Sequence, residues 1–315
     1  MKAEMDAARV VRVALENVET TISRLRARGC YDERRSVVQD GDTALLPVIH
    51  DVEGHEVERH EDPVYRRREL DDVVDVEDPP SGWSTVGDVA LVRLDGYTEQ
   101  EKHEIARGIL DVAAVDSVHE IDGVHGETRR PRTRRLAGEG DTETTHREHG
   151  VVYRLDPTEV TFSVGNQRER LRVQRSVGAG ERALDMFAGV GYWSLPAAVG
   201  GADVTAIELN PEAADYLRQG AEANDVAGRI EVHVGDCRDV VDEIEIQAGF
   251  DRVFMGYFEA RRRSYLDAAL DVAGDRTKLH LHDAAHESAV ERAAQAVRDV
   301  AGARGYETEV STREV

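Results

Sequence analysis

Residues 183–208 constrain the fold of this chain more than any other segment. The apolar run Ala183-Leu184-Asp185-Met186-Phe187 enters the turn Ala188-Gly189-Val190-Gly191, and a helix is predicted near 192–200. A second apolar strand, Val204-Thr205-Ala206-Ile207, ends in Glu208. Strand, glycine turn, helix and strand in that order build a doubly wound parallel sheet, whose ligands sit in a crevice at the carboxyl ends of the strands. Gly189 and Gly191 let the backbone approach a ligand closely. Glu208, at a strand tip, is placed to accept hydrogen bonds from two ribose hydroxyls. The pattern predicts a nucleoside site.

The spacing also sorts the nucleosides. A dinucleotide site takes Gly-x-Gly-x-x-Gly, with the pyrophosphate on the helix start. Here the third glycine position is Ser194, which disfavours a nicotinamide oxidoreductase. Asp185 instead stands four residues before the first glycine. A third acid, Asp236, ends another predicted strand in Glu231-Val232-His233-Val234-Gly235-Asp236-Cys237-Arg238. There its carboxylate and the Cys237 backbone can hold an adenine edge. A sulfonium cofactor has no phosphate and carries a cationic amino-acid tail, so nearby carboxylates attract it. The predicted cofactor is S-adenosylmethionine. The predicted fold is α/β, a Rossmann-like class I S-adenosylmethionine-dependent methyltransferase sheet over 151–315. Asp185, Gly189 and Gly191 shape its pocket floor.

Charge narrows the setting. The chain has 315 residues and a net charge of −23, from 63 acids against 40 bases. Its only lysines are Lys2, Lys102 and Lys278, and its apolar residues lean to Ala and Val. That balance suits a salt-adapted, halophilic cytoplasmic protein, because at about 1 M salt the Debye length falls to about 3 Å and self-repulsion is screened. The acid excess then serves solvation rather than a cationic partner. Cys30 and Cys237 are too far apart in sequence for a metal spacing, and a disulfide is not expected in a reducing compartment. No run reaches the 18 or so apolar residues of a membrane helix. The start, with Lys2, Glu4 and Asp6, lacks a signal-peptide core. A monomer is the default expectation.

Three regions are predicted: an N-terminal module and charged connector over 1–82, a small α/β RNA-binding module over 83–150, and the cofactor domain over 151–315. Val11, Leu15, Val18, Ile22 and Leu25 recur at helical spacing, and Gly29 suits the helix end. Thr43–Val48 reads as a strand, and 51–82, with Pro63, Pro79 and Pro80, as a poorly packed connector. Strands near 86–94 and 115–120 flank a helix near 99–113. Residues 124–147 read as polar and irregular. They hold Arg129, Arg130, Arg132, Arg134 and Arg135, a candidate phosphate-binding loop for nucleic acid in an otherwise acidic chain. Beyond Val151, strands are predicted near 152–155, 160–163, 183–187, 204–208, 230–234, 251–256, 278–282 and 306–311. Helices are predicted near 167–176, 192–200, 211–223, 259–273 and 285–303. Asn210 before Pro211 is a good helix start.

Two further segments are distinctive: Phe162-Ser163-Val164-Gly165-Asn166-Gln167-Arg168-Glu169-Arg170 and Thr144-Thr145-His146-Arg147-Glu148-His149-Gly150. Both resemble the archaeal and eukaryotic enzymes that modify the purine just 3′ of the tRNA anticodon. That group holds the tRNA guanine-N1 methyltransferases and the wybutosine-pathway aminocarboxypropyl transferases. The resemblance spans about residues 84–310, and Leu25-Arg26-Ala27-Arg28-Gly29-Cys30-Tyr31-Asp32 is weakly similar too. Methyl-transferring members carry an Asn-Leu-Pro-like motif after the fourth strand. Here Asp251-Arg252-Val253-Phe254 leads into Met255-Gly256-Tyr257-Phe258, which looks like the aminocarboxypropyl branch. His280-Leu281-His282-Asp283 resembles that branch's His-Tyr-His-Glu, and Tyr192 stands where methyltransferases of the group often have proline.

The resemblance implies transfer of the aminocarboxypropyl group of S-adenosylmethionine to C7 of 4-demethylwyosine at position 37 of tRNA(Phe), with the anticodon arm as partner. It implies that Ser163 and Arg170 touch the cofactor, Arg170 pairing with its tail carboxylate. It makes Met255, Gly256 and Tyr257 the catalytic segment, with Tyr257 stacked on the flipped base. The alternatives are a tRNA (guanine-37-N1)-methyltransferase and a non-catalytic tRNA-binding protein with a vestigial pocket. His280 and His282 share a strand face but have no third ligand, so no metal is expected. Sheets of this cofactor fold usually close with a final antiparallel hairpin. Because the chain stops at Val315, soon after the strand expected near 306–311, the last strand is expected to be missing.

Overall fold

A computed structural model describes residues 8–33, 35–60, 69–244, 249–257, 263–282 and 287–313. Phe258 and Asp283, both named above, lie outside them. The chain divides into two compact units, Met1–Pro79 and Pro80–Val315. Residues 83–150 and 151–315 thus belong to one unit.

In the first unit the helix expected from Val11 to Leu25 is split. Residues Ala8–Ala14 form strand β1, and helix α1 spans Val18–Ala27. The valines at 10, 11 and 13 are β-branched and prefer the pleated surface; the helical spacing from Val11 to Val18 is incidental. β2 (Val38–Asp40), β3 (Thr43–Val48) and β4 (Val57–His60) complete an antiparallel sheet of order β2-β3-β1-β4. β4 lies in the stretch expected to be a connector. Leu25 of α1 packs with Val11, Leu46 and Val48.

The second unit opens with β5 (Ser84–Val86), β6 (Val89–Val92), α2 (Glu99–Val112), β7 (Ser117–His125) and β8 (Arg130–Gly138), in a sheet of order β5-β6-β7-β8. The single strand expected over 86–94 is a hairpin turned at Gly87, whose φ is +57°. Thr98 and Glu101 close a capping box at the start of α2. The stretch 124–147, expected to be irregular, contains β8 and then β9 (Thr144–Glu148). Its polarity misled because Pro131 and Leu136 are buried while Arg130, Arg132 and Arg134 face out. Alternation of this kind marks a sheet with one wet face.

β9 pairs with β10 (Val151–Leu155). The strand expected at 160–163 is absent. Its backbone acceptors are taken by side chains, Ser163 O receiving both the Tyr192 hydroxyl at 2.6 Å and Arg170 Nη1 at 3.2 Å. There follow α3 (Gln167–Ser176), β11 (Arg182–Asp185), α4 (Ser194–Val199), β12 (Asp203–Glu208), α5 (Pro211–Ala223), β13 (Ile230–Val234), α6 (Cys237–Glu243), β14 (Phe250–Met255), α7 (Arg263–Asp271), β15 (Ala273–Leu281) and α8 (Glu287–Ala303). The five strands are parallel in the order β13-β12-β11-β14-β15. Val173, Ala197 and Leu217 of α3, α4 and α5 pack in one core cluster, and Val240 and Leu266 of α6 and α7 in another. The doubly wound expectation therefore holds. The strand expected at 306–311 is not formed. After α8 the chain folds back on the helix end, with Tyr306 N–H donating to Ala301 O at 3.1 Å and its hydroxyl to Leu270 O at 3.2 Å.

A buried ion pair locks the β9–β10 hairpin to α3. Arg170 donates to Glu148 through Nε at 2.7 Å and Nη2 at 2.8 Å, and both side chains are almost wholly enclosed. His146 Nε2 meets the same carboxylate at 2.9 Å, and the Arg170 guanidinium lies 4.3 Å from the Tyr192 ring centroid. Arg170 and His146 hold the Glu148 carboxyl below its ordinary range against the opposing effect of burial. Arg170→Met strands a buried carboxylate and is expected to cost about 3–5 kcal/mol of stability. The double variant Glu148→Gln/Arg170→Met should recover much of that loss in chemical denaturation. A single variant as stable as the parent chain would show that the pair braces nothing.

Candidate active site

The tips of β11, β12 and β13 lie side by side. Asp185 pairs with Ala206, and Glu208 with Val234. Asp185 is fully buried and joins β11 to the start of α4. Ser194 Oγ donates to it at 2.7 Å, and the Phe187 N–H at 3.3 Å. Ser194, met in the sequence only as a missing glycine, is thus the partner of Asp185. Burial pushes the Asp185 carboxyl up to about 7.

Glu208 closes the turn from the neighbouring strand. Its Oε2 accepts from the Gly189 N–H at 2.7 Å and its Oε1 from the Asn210 N–H at 2.8 Å. Each oxygen keeps a further lone pair. The two glycines divide the work that the sequence assigned to both. At Gly189, with φ +55°, an added Cβ would meet nothing within 4 Å, so its backbone faces open space. At Gly191, with φ +96°, a Cβ would strike Leu195 and Leu217 at 2.5 and 2.7 Å. Gly191 is required by core packing.

Asp236 caps α6 and accepts from the backbone N–H and Nε of Arg238, each at 2.9 Å. Arg238 holds this carboxyl below its ordinary range. An adenine amino group would share the carboxylate with that arginine. The Cys237 thiol is buried and pushed up to about 12, so it stays protonated and leaves only its backbone for a ligand. Leu209 and Val234 are exposed large apolar residues at the tips of β12 and β13. They offer flat apolar contact beside Glu208 and Asp236. Sequence reasoning passed over them, although apolar residues at strand tips were the available signal.

β14 supplies the other half of the crevice. Met255 is buried among Leu184, Ile207 and Val253, so it anchors the turn and cannot touch a substrate, contrary to the expectation for it. Gly256 is exposed. Tyr257 stacks on Phe187, ring centroids 5.3 Å apart, with Tyr265 edge-on at 6.2 Å. His280 sits between Arg252 and Arg172, at 2.8 and 3.4 Å from its two ring nitrogens. Burial and these guanidinium groups push it down to about 3, so it stays neutral. Its nitrogens face cations rather than a metal ligand set, and among the described residues no trio of His, Cys, Asp or Glu is placed to hold a metal.

Three further expectations change. Arg170 was to reach the cofactor's tail carboxylate, but its guanidinium is committed to Glu148 and Ser163 O inside the core. Ser163 enters the site through its carbonyl, as the acceptor that fixes Tyr192. The arginine cluster stands on β8 rather than on a loop. Arg132 pairs with Asp122 at 2.9 Å, Arg134 with Glu99 and Glu120 at 2.6 and 2.7 Å, and Arg130 with Glu159. Arg135 donates to Gly140 O at 2.8 Å. Arg129 occupies the turn before the strand with φ +54°, and its carbonyl accepts the Thr161 hydroxyl at 2.6 Å.

Residues 144–309 match the family model described as the TRM5/TYW2 methyltransferase domain, and 68–142 match the TYW2 N-terminal domain. The chain belongs to the TRM5/TYW2 family. It is 37% identical over 214 residues to the tRNA(Phe) (4-demethylwyosine(37)-C(7)) aminocarboxypropyltransferase of Pyrococcus horikoshii, covering 68% of this chain and 75% of that one. It is 31% identical over 281 residues to the tRNA (guanine(37)-N(1))-methyltransferase Trm5b of Pyrococcus abyssi, covering 86% and 83%. The solved structure of P. horikoshii TYW2 in complex with MeSAdo superposes with a TM-score of 0.60 at 32% identity, over 72% and 81% of the two chains.

The crevice of this family member fits S-adenosylmethionine. Gly189 leaves open backbone, Glu208 presents a carboxylate with spare acceptor capacity, and Leu209 and Val234 stand exposed at the neighbouring strand tips. Asp185 gives this half of the site a pH signature. Its folded pKa lies above the ordinary 3.8, so the folded chain holds the proton more tightly, and stability falls as pH rises from about 4 to about 7. Asp185→Asn, which cannot ionise, is expected to gain on the parent chain across that window, by up to about 4 kcal/mol above it. Melting curves at several pH values check this. A difference between the two that does not vary with pH would show that no carboxylate ionises there at a cost.

Proposed function

We propose that the chain transfers the 3-amino-3-carboxypropyl group of S-adenosylmethionine to C7 of 4-demethylwyosine at position 37 of tRNA(Phe). The single observation behind this is the Met255-Gly256-Tyr257 turn at the tip of β14, beside three acid-bearing strand tips, in a chain 37% identical to the transferase named for that reaction. When bound, S-adenosylmethionine supplies a sulfonium whose aminocarboxypropyl Cγ bonds to C7 as the Cγ–S electron pair leaves with sulfur in methylthioadenosine and the C7 proton is lost.

The residues of the chain provide orientation, which lowers a barrier by holding reacting groups at contact distance. Glu208 and the Gly189 backbone hold the adenosyl end, with Asp236 and the Cys237 backbone at the adenine edge. Their positions on β11, β12 and β13 leave the β14–β15 half for the acceptor base, beside Tyr257. Arg130, Arg132 and Arg134 stand at alternate positions of β8 and share one face. Their ion pairs are half exposed and individually weak, so phosphate oxygens can replace the acids. This ladder supports β8 as the face that meets the tRNA.

The wider overlap with Trm5b favours a second reading, methyl transfer to N1 of guanine 37. Product chemistry separates the two. The chain, incubated with S-adenosylmethionine and hypomodified tRNA(Phe), is expected to release methylthioadenosine and to leave an aminocarboxypropyl mass on the tRNA. S-adenosylhomocysteine as the sole product would establish the second reading instead. In the same assay, Arg130→Ala/Arg132→Ala/Arg134→Ala should raise KM for tRNA by about tenfold or more and leave cofactor affinity unchanged. An unchanged KM would remove β8 from the RNA face.

A further inference from the structure

On the acceptor half of the crevice, one glycine is present for reasons of space alone. The φ of Gly256 lies outside the left-handed region, so its backbone accepts any L side chain. A Cβ there would fall 2.5 Å from Nε1 of Trp193, closer than real Cβ contacts come, and 3.1 Å from its Cδ1, tighter than most. The indole has little room to move aside. It is 2% exposed, stacks on His282 at 4.3 Å with 22° between the planes, and lies nearly parallel to Phe254 at 6.2 Å. His282 is in turn held by its backbone N–H, which donates to Met255 O at 3.1 Å.

The stack sits where the sheet changes direction. Trp193 belongs to the glycine turn after β11, and Gly256 to the turn after β14. β11 and β14 are the neighbours on either side of the point where strand order reverses, the position at which such sheets bind ligands. The acids that suit the adenosyl group end β11 and β12 and follow β13 at the cap of α6. His282, half-buried just past the end of β15, therefore faces toward the space left for the acceptor, with the buried Trp193 indole packed behind it.

We infer that Gly256 and Trp193 determine reaction specificity through His282: the glycine leaves the volume that the indole fills, and the buried indole backs the His282 ring, the wall that sets which sulfonium carbon the acceptor base meets. This rests on the aminocarboxypropyl reading above. Both are positioning residues. A side chain at 256 displaces the indole, tilts His282 and moves the acceptor, and a misplacement of about 1 Å is worth a rate loss on the order of a hundredfold.

The test uses the full chain with Gly256→Ala, Trp193→Phe and the double variant. Three quantities are read: kcat for methylthioadenosine release, the ratio of methylthioadenosine to S-adenosylhomocysteine, and calorimetric affinity for methylthioadenosine. Gly256→Ala is expected to lower kcat by about tenfold or more, and to lower the product ratio, with affinity held within about threefold. Phenylalanine lacks the pyrrole edge that meets the new methyl group. Trp193→Phe should therefore raise kcat in the Gly256→Ala background by about threefold or more while lowering it in the parent, a non-additivity expected of touching residues. Parental kcat in Gly256→Ala, or losses that simply multiply in the double variant, would overturn the inference. If Gly256→Ala does not fold, Trp193→Phe alone decides. A lowered kcat at unchanged methylthioadenosine affinity supports the wall, and a parental kcat ends it. If the unaltered chain releases only S-adenosylhomocysteine, the reading of the reaction falls, and this inference with it.

Discussion

The bidentate contact between Arg170 and Glu148 is the constraint on which the second unit hangs. A guanidinium and a carboxylate taken out of water together each lose several kcal/mol of hydration, and recover it only with near-ideal geometry and every remaining donor satisfied. Here Nη1 finds Ser163 O, the carboxylate also meets His146, and the Tyr192 ring covers the cation. A β-hairpin, a loop, a helix and the glycine turn of the cofactor strand are thereby fixed to one another. The two segments of distinctive sequence at 144–150 and 162–170 are the two ends of this single contact.

From that frame the crevice takes its two unlike halves. On one side, backbone N–H groups point at carboxylates, so the turns at Gly189 and Asn210 are held open and rigid before any ligand arrives. On the other, aromatic rings dominate: Trp193, His282, Phe254, and the trio of Phe187, Tyr257 and Tyr265. A sugar and a polar heterocycle suit the first half, and a flat extended base suits the second. The division falls at the reversal of strand order, where a parallel sheet leaves its only natural gap.

Much of this was legible in residue order. The alternation after Val151 gave strands and helices near their observed places, because buried parallel strands are apolar runs and the helices between them are amphipathic. The acids at three strand tips were found from spacing alone. What failed, failed for physical reasons. The segment from Val11 to Leu25 matched a helical period by coincidence, and β-branched residues paired with strands distant in sequence instead. β8 was hidden because its wet face is densely charged. Arg170 was assigned to a ligand because a sequence does not show that its partner, Glu148, is brought against it from twenty-two residues away. Trp193 and Gly256 were invisible as a pair, since shape complementarity leaves no periodic trace.

The β8 arginines have a last consequence. In a chain of net charge −23, Arg130, Arg132 and Arg134 are already paired, with Glu159, with Asp122, and with Glu99 and Glu120. Seen from afar, the face is electrically quiet and the whole molecule repels a polyanion. Long-range attraction therefore cannot speed encounter. A nucleic acid must come within about one Debye length before ion exchange begins to favour it. If β8 is the face that meets the tRNA, as proposed, such a surface would reject loosely held strands and admit only partners whose contour fits first.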